Sequence, residues 1–231
     1  MTSELLYSPL FGITLTLSGY FLAQQLYRRS RLILLNPVAV TIVALILLLL
    51  LCDIPYEAYA QGGRVIHFLL GPSVVALAVP LYRRRKEVMQ RWRPIFFGVL
   101  AGAFSSIFSA CGLGWFFGGS REVVLSLAPK SVTTPIALGI AEKIGGIIPL
   151  TTAIVVFTGC VGAMCGVEFC RLLGVRSSVA TGLALGTASH GIGTARMLEV
   201  DRLGGAVAGL AIGLNGLLSA LLLPFLVLLF G

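Results

Sequence analysis

Residues 187–202 read TASHGIGTARMLEVDR and place a histidine, an arginine and several hydroxyl groups among small residues. Long apolar segments lie on both sides of this stretch. In a lipid environment, polar and ionisable side chains are costly and usually face partners, a cavity or water. Glycines let the backbone leave helical geometry, which a membrane tolerates only against protein or a wet cavity. The stretch therefore predicts an interrupted membrane segment with a site for a polar solute.

The composition indicates an integral membrane protein. The chain has 231 residues, of which 57% are hydrophobic and 11% charged, with a mean hydropathy of +0.98. Soluble domains average about 25% charged residues. We predict an all-α polytopic membrane protein that forms one integral membrane domain over residues 1–231, with N-terminal spans in 1–119 and a motif-bearing region in 120–231.

The net charge of +8 is concentrated in short connections. Residues 28–31 and 83–93 hold most of the basic side chains, and such clusters beside apolar spans mark the cytoplasmic side. Two crossings fit between them, so the N-terminus is expected outside the cytoplasmic (inner) membrane. Nucleic-acid binding is disfavoured, because no segment is long enough to form an exposed basic face.

Seven or eight membrane segments fit the hydropathy pattern, because one span needs about 20 apolar residues. A polar loop is expected at 53–64. Two segments are expected to be interrupted or re-entrant, one within 131–141 and one within 178–198. The number of crossings after residue 120 stays open, since residues 120–146 could span once or re-enter. The expected spans are about 5–27, 38–52, 65–82, 94–117, 147–169 and 204–230.

An internal repeat is suggested by two similar pentapeptides. Residues 142–146 (EKIGG) match residues 201–205 (DRLGG) in type at every position, 59 residues later. A broken, small-residue segment precedes each pentapeptide. Paired interrupted segments in corresponding halves of a chain are the best sequence indication of a transporter binding site.

Hydroxyl side chains lie at both predicted breaks. Helix N-termini there would present unpaired N–H groups and a positive dipole end, which favour anions. Each hydroxyl could cap the backbone or bind solute, and both interpretations stay open. The four residues are Thr133, Thr134, Ser189 and Thr194.

Ionisable residues of the same stretch allow two interpretations each. His190 could be a neutral, hydrogen-bonded residue or could carry a proton. Arg196 keeps its proton and needs a counter-charge. Glu199 at i+3, with Asp201 nearby, could supply that charge in a structural ion pair. Alternatively, Arg196 could clamp a substrate carboxylate and rest on Glu199 when the site is empty.

Enzymatic chemistry is not indicated by the sequence. Ser189 and His190 are neighbours that would point about 100° apart on a helix, so they make no nucleophile–base pair. Metalloprotease, nucleotide-loop and dinucleotide fingerprints are absent, and the five cysteines lack zinc-site spacing. We therefore expect no enzyme activity, no cofactor and no metal.

The chain resembles the LrgB/CidB family through two motifs. These are KSVTTPIA at residues 130–137, and GTASH at 186–190 followed by GTAR at 193–196 and Glu199. The resemblance implies a multi-pass membrane protein that works with a smaller LrgA/CidA-like partner, here a separate polypeptide. It also implies either holin/antiholin-like control of murein hydrolase activity and lysis, or transport of pyruvate, glycolate or glycerate.

Our sequence-based hypothesis is a secondary transporter of a small carboxylate. Thr133, Thr134, Ser189, His190 and Arg196 would line an anion site at the two breaks, with proton coupling through His190. The rival hypothesis is a holin-like pore or lysis regulator, in which the same polar residues mediate helix association or gating. A scaffold for the partner protein is a third alternative, and a homo-oligomer is compatible with all three.

Overall fold

The computed structural model describes residues 6–30, 32, 35–69, 72, 75–76 and 78–230. Over these residues the regular elements are helices, which confirms the predicted all-α class. The helices are α1 (Pro9–Ser30), α2 (Pro37–Leu51), α3 (Tyr56–Phe68), α4 (Ala78–Arg83), α5 (Arg85–Gln90), α6 (Trp92–Phe116), α7 (Arg121–Leu127), α8 (Thr134–Ile144), α9 (Ile148–Leu172), α10 (Ser178–Val200) and α11 (Arg202–Phe230).

Among the described helices, three are long and apolar enough to cross a membrane. They are α6, α9 and residues 202–228 of α11, while α2 is apolar but shorter. On α6 the buried residues recur every three or four positions, and large apolar side chains elsewhere on the helix stay exposed. An exposed apolar face of this kind suits contact with lipid. The total of seven or eight membrane segments stays a prediction.

The chain divides into two compact units, residues 1–76 and 77–231. In the first unit α1 packs against both α2 and α3. Gly12 and Gly62 lie at the α1–α3 contact, where a Cβ on Gly12 would meet the Tyr59 carbonyl. Such close contact between small residues is typical of helices packed in lipid.

The expected polar loop at 53–64 is wrong, because α3 begins at Tyr56. Ala58 and Gly62 recur at i, i+4 on the buried face, which leaves Glu57 and Arg64 on the rest of the helix. The pattern is therefore that of an amphipathic helix rather than of a loop. The expected third span at 65–82 falls partly outside the described residues.

In the second unit, residues 121–146 double back, and we call them the first hairpin. A Cβ on Gly114 of α6 would meet Val124 and Leu127 of α7, whereas Ser106, two turns earlier on α6, contacts Ser131. From α7 to Ser131 the chain therefore runs antiparallel to α6, towards the middle of that helix. It then returns through α8, because the Ile147 N–H donates to Ser126 Oγ at 2.7 Å.

Residues 178–200 form a second hairpin, in which α10 consists of two arms. Ser189 (φ −128°, ψ 16°) and His190 (φ 41°, ψ −134°) interrupt the helix between them. A Cβ on Gly204 would meet the Ser178 carbonyl at 2.8 Å and also the Met197 side chain. Both ends of α10 thus lie beside the start of α11, and the interruption at Ser189–His190 is the tip.

The two hairpins enter the second unit from opposite ends. Along the first arm of α10, Leu183 contacts Gly98 and Thr187 contacts Gly102, so this arm runs parallel to α6. The first hairpin instead begins beside the C-terminal end of α6. Its return helix α8 leads into α9 at that same end, and α9 carries the chain back to the other end. A long helix followed by a hairpin therefore occurs twice, in opposite directions.

The single-domain prediction, with its division at residues 119 and 120, stays a prediction.

Candidate solute site at the two hairpin tips

The tips of the two hairpins meet beside Asn215, near the middle of α11. The Asn215 side-chain amide donates to the Ser131 carbonyl at 3.1 Å and to the Thr187 carbonyl at 3.0 Å. Ser131 belongs to the first tip, and Thr187 is near the end of the first arm of the second hairpin. Asn215 is only 1% exposed. One buried amide therefore joins the two interrupted segments.

The second tip is held by His190, which is 5% exposed. Because a carbonyl can only accept, His190 Nε2–H donates to the Val155 carbonyl of α9 at 2.9 Å. The positive φ of His190 is uncommon for a residue with a Cβ. Such backbone strain costs about 1–3 kcal/mol and tends to occur at functional sites. Glycines of α9 make room for the tip, because a Cβ on Gly162 would collide with the Ser189 side chain.

At the first tip, Thr133 is the N-cap residue of α8. Its side chain makes no capping hydrogen bond, so capping does not occupy this hydroxyl. The first intrahelical bond runs from the Ala137 N–H to the Thr133 carbonyl at 2.9 Å. The N–H groups of Thr134 and Ile136 are therefore without intrahelical partners, as at any helix start.

Several buried oxygen atoms near the tips have no hydrogen-bond partner within the described residues. They include Thr187 Oγ1, Thr194 Oγ1 and Asn215 Oδ1. Thr194 is fully buried on the second arm, one turn after the tip. Buried polar groups are normally paired with protein or water. Unpaired groups at the meeting point of two broken helices suit a polar ligand.

Lys130 lies immediately before the first tip. Its ammonium group donates to Ser106 Oγ and to Ser131 Oγ, each at 3.1 Å. The two serine hydroxyls share a hydrogen bond of 2.7 Å. This cluster brings a positive charge to the level of the middle of α6.

Arg196 lies away from the tips, on the second arm. Its guanidinium pairs with Glu199 at 3.1 Å and with Glu168 of α9 at 3.7 Å. The Arg196–Glu199 pair is the one expected from the sequence, whereas Glu168 comes from tertiary packing. Asp201 instead accepts the Gly204 N–H at 2.6 Å and caps the first turn of α11.

Sequence reasoning placed Thr133, Thr134, Ser189 and His190 at breaks, and the structure brings those breaks together. It did not select Ser106, Lys130, Thr187 or Asn215 as site residues. Two of these omitted residues carry a signal in the sequence. Lys130 is the one charged residue between positions 123 and 141, and Asn215 is a lone amide in a long apolar run.

Comparison with known proteins identifies the family. A family model described as the LrgB-like family matches residues 16–229, which include both hairpins. The chain belongs to the LrgB-like family. No solved structure matches it.

Relatives of this LrgB-like chain align over nearly their whole length. The protein YxaC of Bacillus subtilis is 37% identical over 218 residues, which cover 94% of this chain and 95% of YxaC. A holin-like protein CidB of Staphylococcus epidermidis is 34% identical, with 94% and 95% covered. A holin-like protein CidB of Staphylococcus aureus is also 34% identical, with 96% of each chain covered.

Proposed function

We propose that this LrgB-like protein is a secondary transporter of a small carboxylate of the pyruvate, glycolate or glycerate class. The observation that carries the proposal is the meeting of two oppositely directed hairpin tips at Asn215. Interrupted helices that meet in the middle of a bundle are typical of transporter sites, where N-terminal helix ends face anionic groups. A packed structural bundle does not need such breaks.

In this proposal, the start of α8 and the start of the second arm of α10 face the carboxylate. Thr133 and Thr134 would contact it from the first tip, and Ser189 and Thr194 from the second. Two roles stay open for Arg196: it could clamp the substrate carboxylate, or it could form a structural ion pair. Its pairs with Glu168 and Glu199 favour the structural one.

Charge distribution within the second unit supports an orientation. One end of the unit holds the start of α6, the end of α9 and the start of α11. At the other end, the charged residues among those described are the mixed pairs Arg121–Glu122 and Glu142–Lys143. By the positive-inside rule, we place the basic end in the cytoplasm. The two ends of the second hairpin would then face the cytoplasm, and its tip would point into the membrane. In this orientation the protein lies in the inner membrane with its N-terminus outside. The basic residues at the basic end include Arg91, Arg93, Arg171, Arg176 and Arg202.

Transport is tested with purified protein in liposomes, by uptake of labelled pyruvate and glycolate. We expect saturable uptake. Thr133→Val should reduce uptake about tenfold, because one hydrogen bond to a charged group is worth about 1.5–3 kcal/mol. Thr152→Val is the matched control, since the exposed Thr152 hydroxyl bonds only its own helix, at the Ile148 carbonyl. Equal uptake by Thr133→Val and wild type would remove Thr133 from the site.

Proton coupling through His190 has its own test. An acidic exterior should stimulate uptake by the wild-type protein. His190→Gln retains a donor near the Val155 carbonyl but cannot titrate, so uptake should lose this stimulation while exchange of substrate between the two sides continues. The exposed His67 provides the control variant His67→Gln. Persistent stimulation in His190→Gln would refute the coupling role.

A holin-like function is the second candidate, and the names of the holin-like CidB relatives favour it. We also propose a separate CidA/LrgA-like membrane protein as partner in either case. Release of entrapped dyes from the same liposomes separates the candidates. Leakage that does not depend on dye size would support a pore, whereas retention of all dyes with saturable carboxylate uptake would support the carrier.

A further inference from the structure

Lys130 is the cation that contacts the first hairpin tip, through Ser106 and Ser131, whereas Arg196 pairs with carboxylates on the second arm and on α9. The apolar parts of the surrounding long helices contain no charged residue, over positions 94–116 of α6, 148–167 of α9 and 203–230 of α11. Positions 177–195 of the second hairpin have none apart from His190. Lys130 is thus isolated in an apolar section of the chain.

No carboxylate neutralises Lys130 within the described residues. Their salt bridges involve Arg84 and Arg196 as the cations. The recorded partners of Lys130 are two serine hydroxyls. An ammonium group has three donors, so one N–H remains for a ligand. Neutral hydroxyls solvate the charge but do not cancel it. Lys130 is partly buried, and an uncompensated charge becomes costly as it is withdrawn from water.

Independent features of the surrounding residues are consistent with a ligand site beside this ammonium group. Ser131, which Lys130 contacts, is tied through its carbonyl to Asn215. Asn215 Oδ1 and Thr187 Oγ1 are more than nine-tenths buried and have no partner in the described part of the chain. The open N-terminus of α8 begins at Thr134, four residues after Lys130. The charged donor, the free helix N–H groups and the Thr187 hydroxyl can donate to a carboxylate, whereas Asn215 Oδ1 can only accept and suits a hydroxyl group or water.

We infer that Lys130 is the counter-charge for a singly charged carboxylate substrate, with Ser106 and Ser131 holding its ammonium group in place. The inference rests on the proposed transport function and names the substrate charge and the residue that recognises it. One cation balances one carboxylate. A dicarboxylate would bring a second negative charge that no described residue at this level neutralises.

Uptake of labelled pyruvate by Lys130→Met, Lys130→Arg and Lys143→Met tests the role of the charge. Lys143 is an exposed lysine in the last turn of α8 and gives the matched control. We expect Lys130→Met to lower uptake about tenfold or more, because it removes a charge-assisted hydrogen bond. Lys143→Met should transport normally, and Lys130→Arg should retain part of the activity.

The results distinguish a failure of the transport proposal from a failure of the role assigned to Lys130. If the wild-type protein takes up no carboxylate, the transport proposal fails. If the wild type transports and Lys130→Met matches it, the transport proposal stands and the role of Lys130 is refuted. Competition tests the substrate charge, since unlabelled glycolate should inhibit pyruvate uptake whereas succinate, a dianion at pH 7.5, should not. Equal inhibition by succinate would overturn the single-charge assignment.

A measurement on the unmodified protein covers the case in which Lys130→Met does not fold. An amine-acylating reagent is applied with and without pyruvate, and modification is read by mass spectrometry. Pyruvate should reduce labelling of Lys130 several-fold and leave Lys143 unchanged. Equal labelling of Lys130 in the presence and absence of saturating pyruvate would overturn the inference.

Discussion

Replacing Asn215 by leucine removes the amide that joins the two hairpin tips while keeping a similar volume. The Ser131 and Thr187 carbonyls lose the donors that lie 3.1 and 3.0 Å away. Each buried carbonyl left unpaired costs about 1–3 kcal/mol, so the two together cost about 2–6 kcal/mol. We take the lower end, about 2 kcal/mol, because water can enter a polar site and satisfy part of the loss.

A loss of this size should appear first as local opening of the tips. Amide hydrogen exchange measures that opening directly, and about 2 kcal/mol corresponds to roughly 30-fold faster exchange. We expect the acceleration in peptides covering residues 128–137 and 184–194. Leu217→Ala is the control on the same helix, because Leu217 is 60% exposed. Unchanged exchange at both tips in Asn215→Leu would refute the conclusion that this amide holds them together.

Two further predictions concern helix contacts in the second unit. Gly186→Ala should destabilise the protein by about 1–3 kcal/mol, because the new Cβ would lie 2.7 Å from the Ala208 Cα. Gly213→Ala is its control: Gly213 has open space around it, so this variant should have an unchanged or higher melting temperature. A double-mutant cycle of Arg196→Met and Glu168→Gln should give a coupling free energy of about 0.5–1 kcal/mol, since both side chains are partly exposed. The KM for pyruvate uptake should be the same in Arg196→Met as in the wild type. A melting temperature of Gly186→Ala equal to that of Gly213→Ala would count against close α10–α11 packing, and a raised KM in Arg196→Met would restore the clamp role.

Sequence patterns determined the class of the protein and the places where its helices break. High hydropathy with few charges is sufficient to predict lipid-embedded helices, because an unpaired backbone in hydrocarbon is too costly. Small residues around His190 predicted the interruption that the structure shows at Ser189–His190. The same approach failed at residues 53–64, where hydropathy suggested a loop and the i, i+4 spacing of Ala58 and Gly62 forms a packed helix.

Tertiary structure alone decided which polar groups meet. Asn215 contacts residues 84 and 28 positions away in the chain, and no local pattern encodes partners at such separations. The same packing gave Arg196 a carboxylate from α9 and left Lys130 with hydroxyl partners. A one-dimensional pattern specifies which segments enter lipid, since that depends on each segment's own transfer energy. The residues that form the site are instead those that come together when the two hairpin tips meet. Contacts between helices determine where the tips meet.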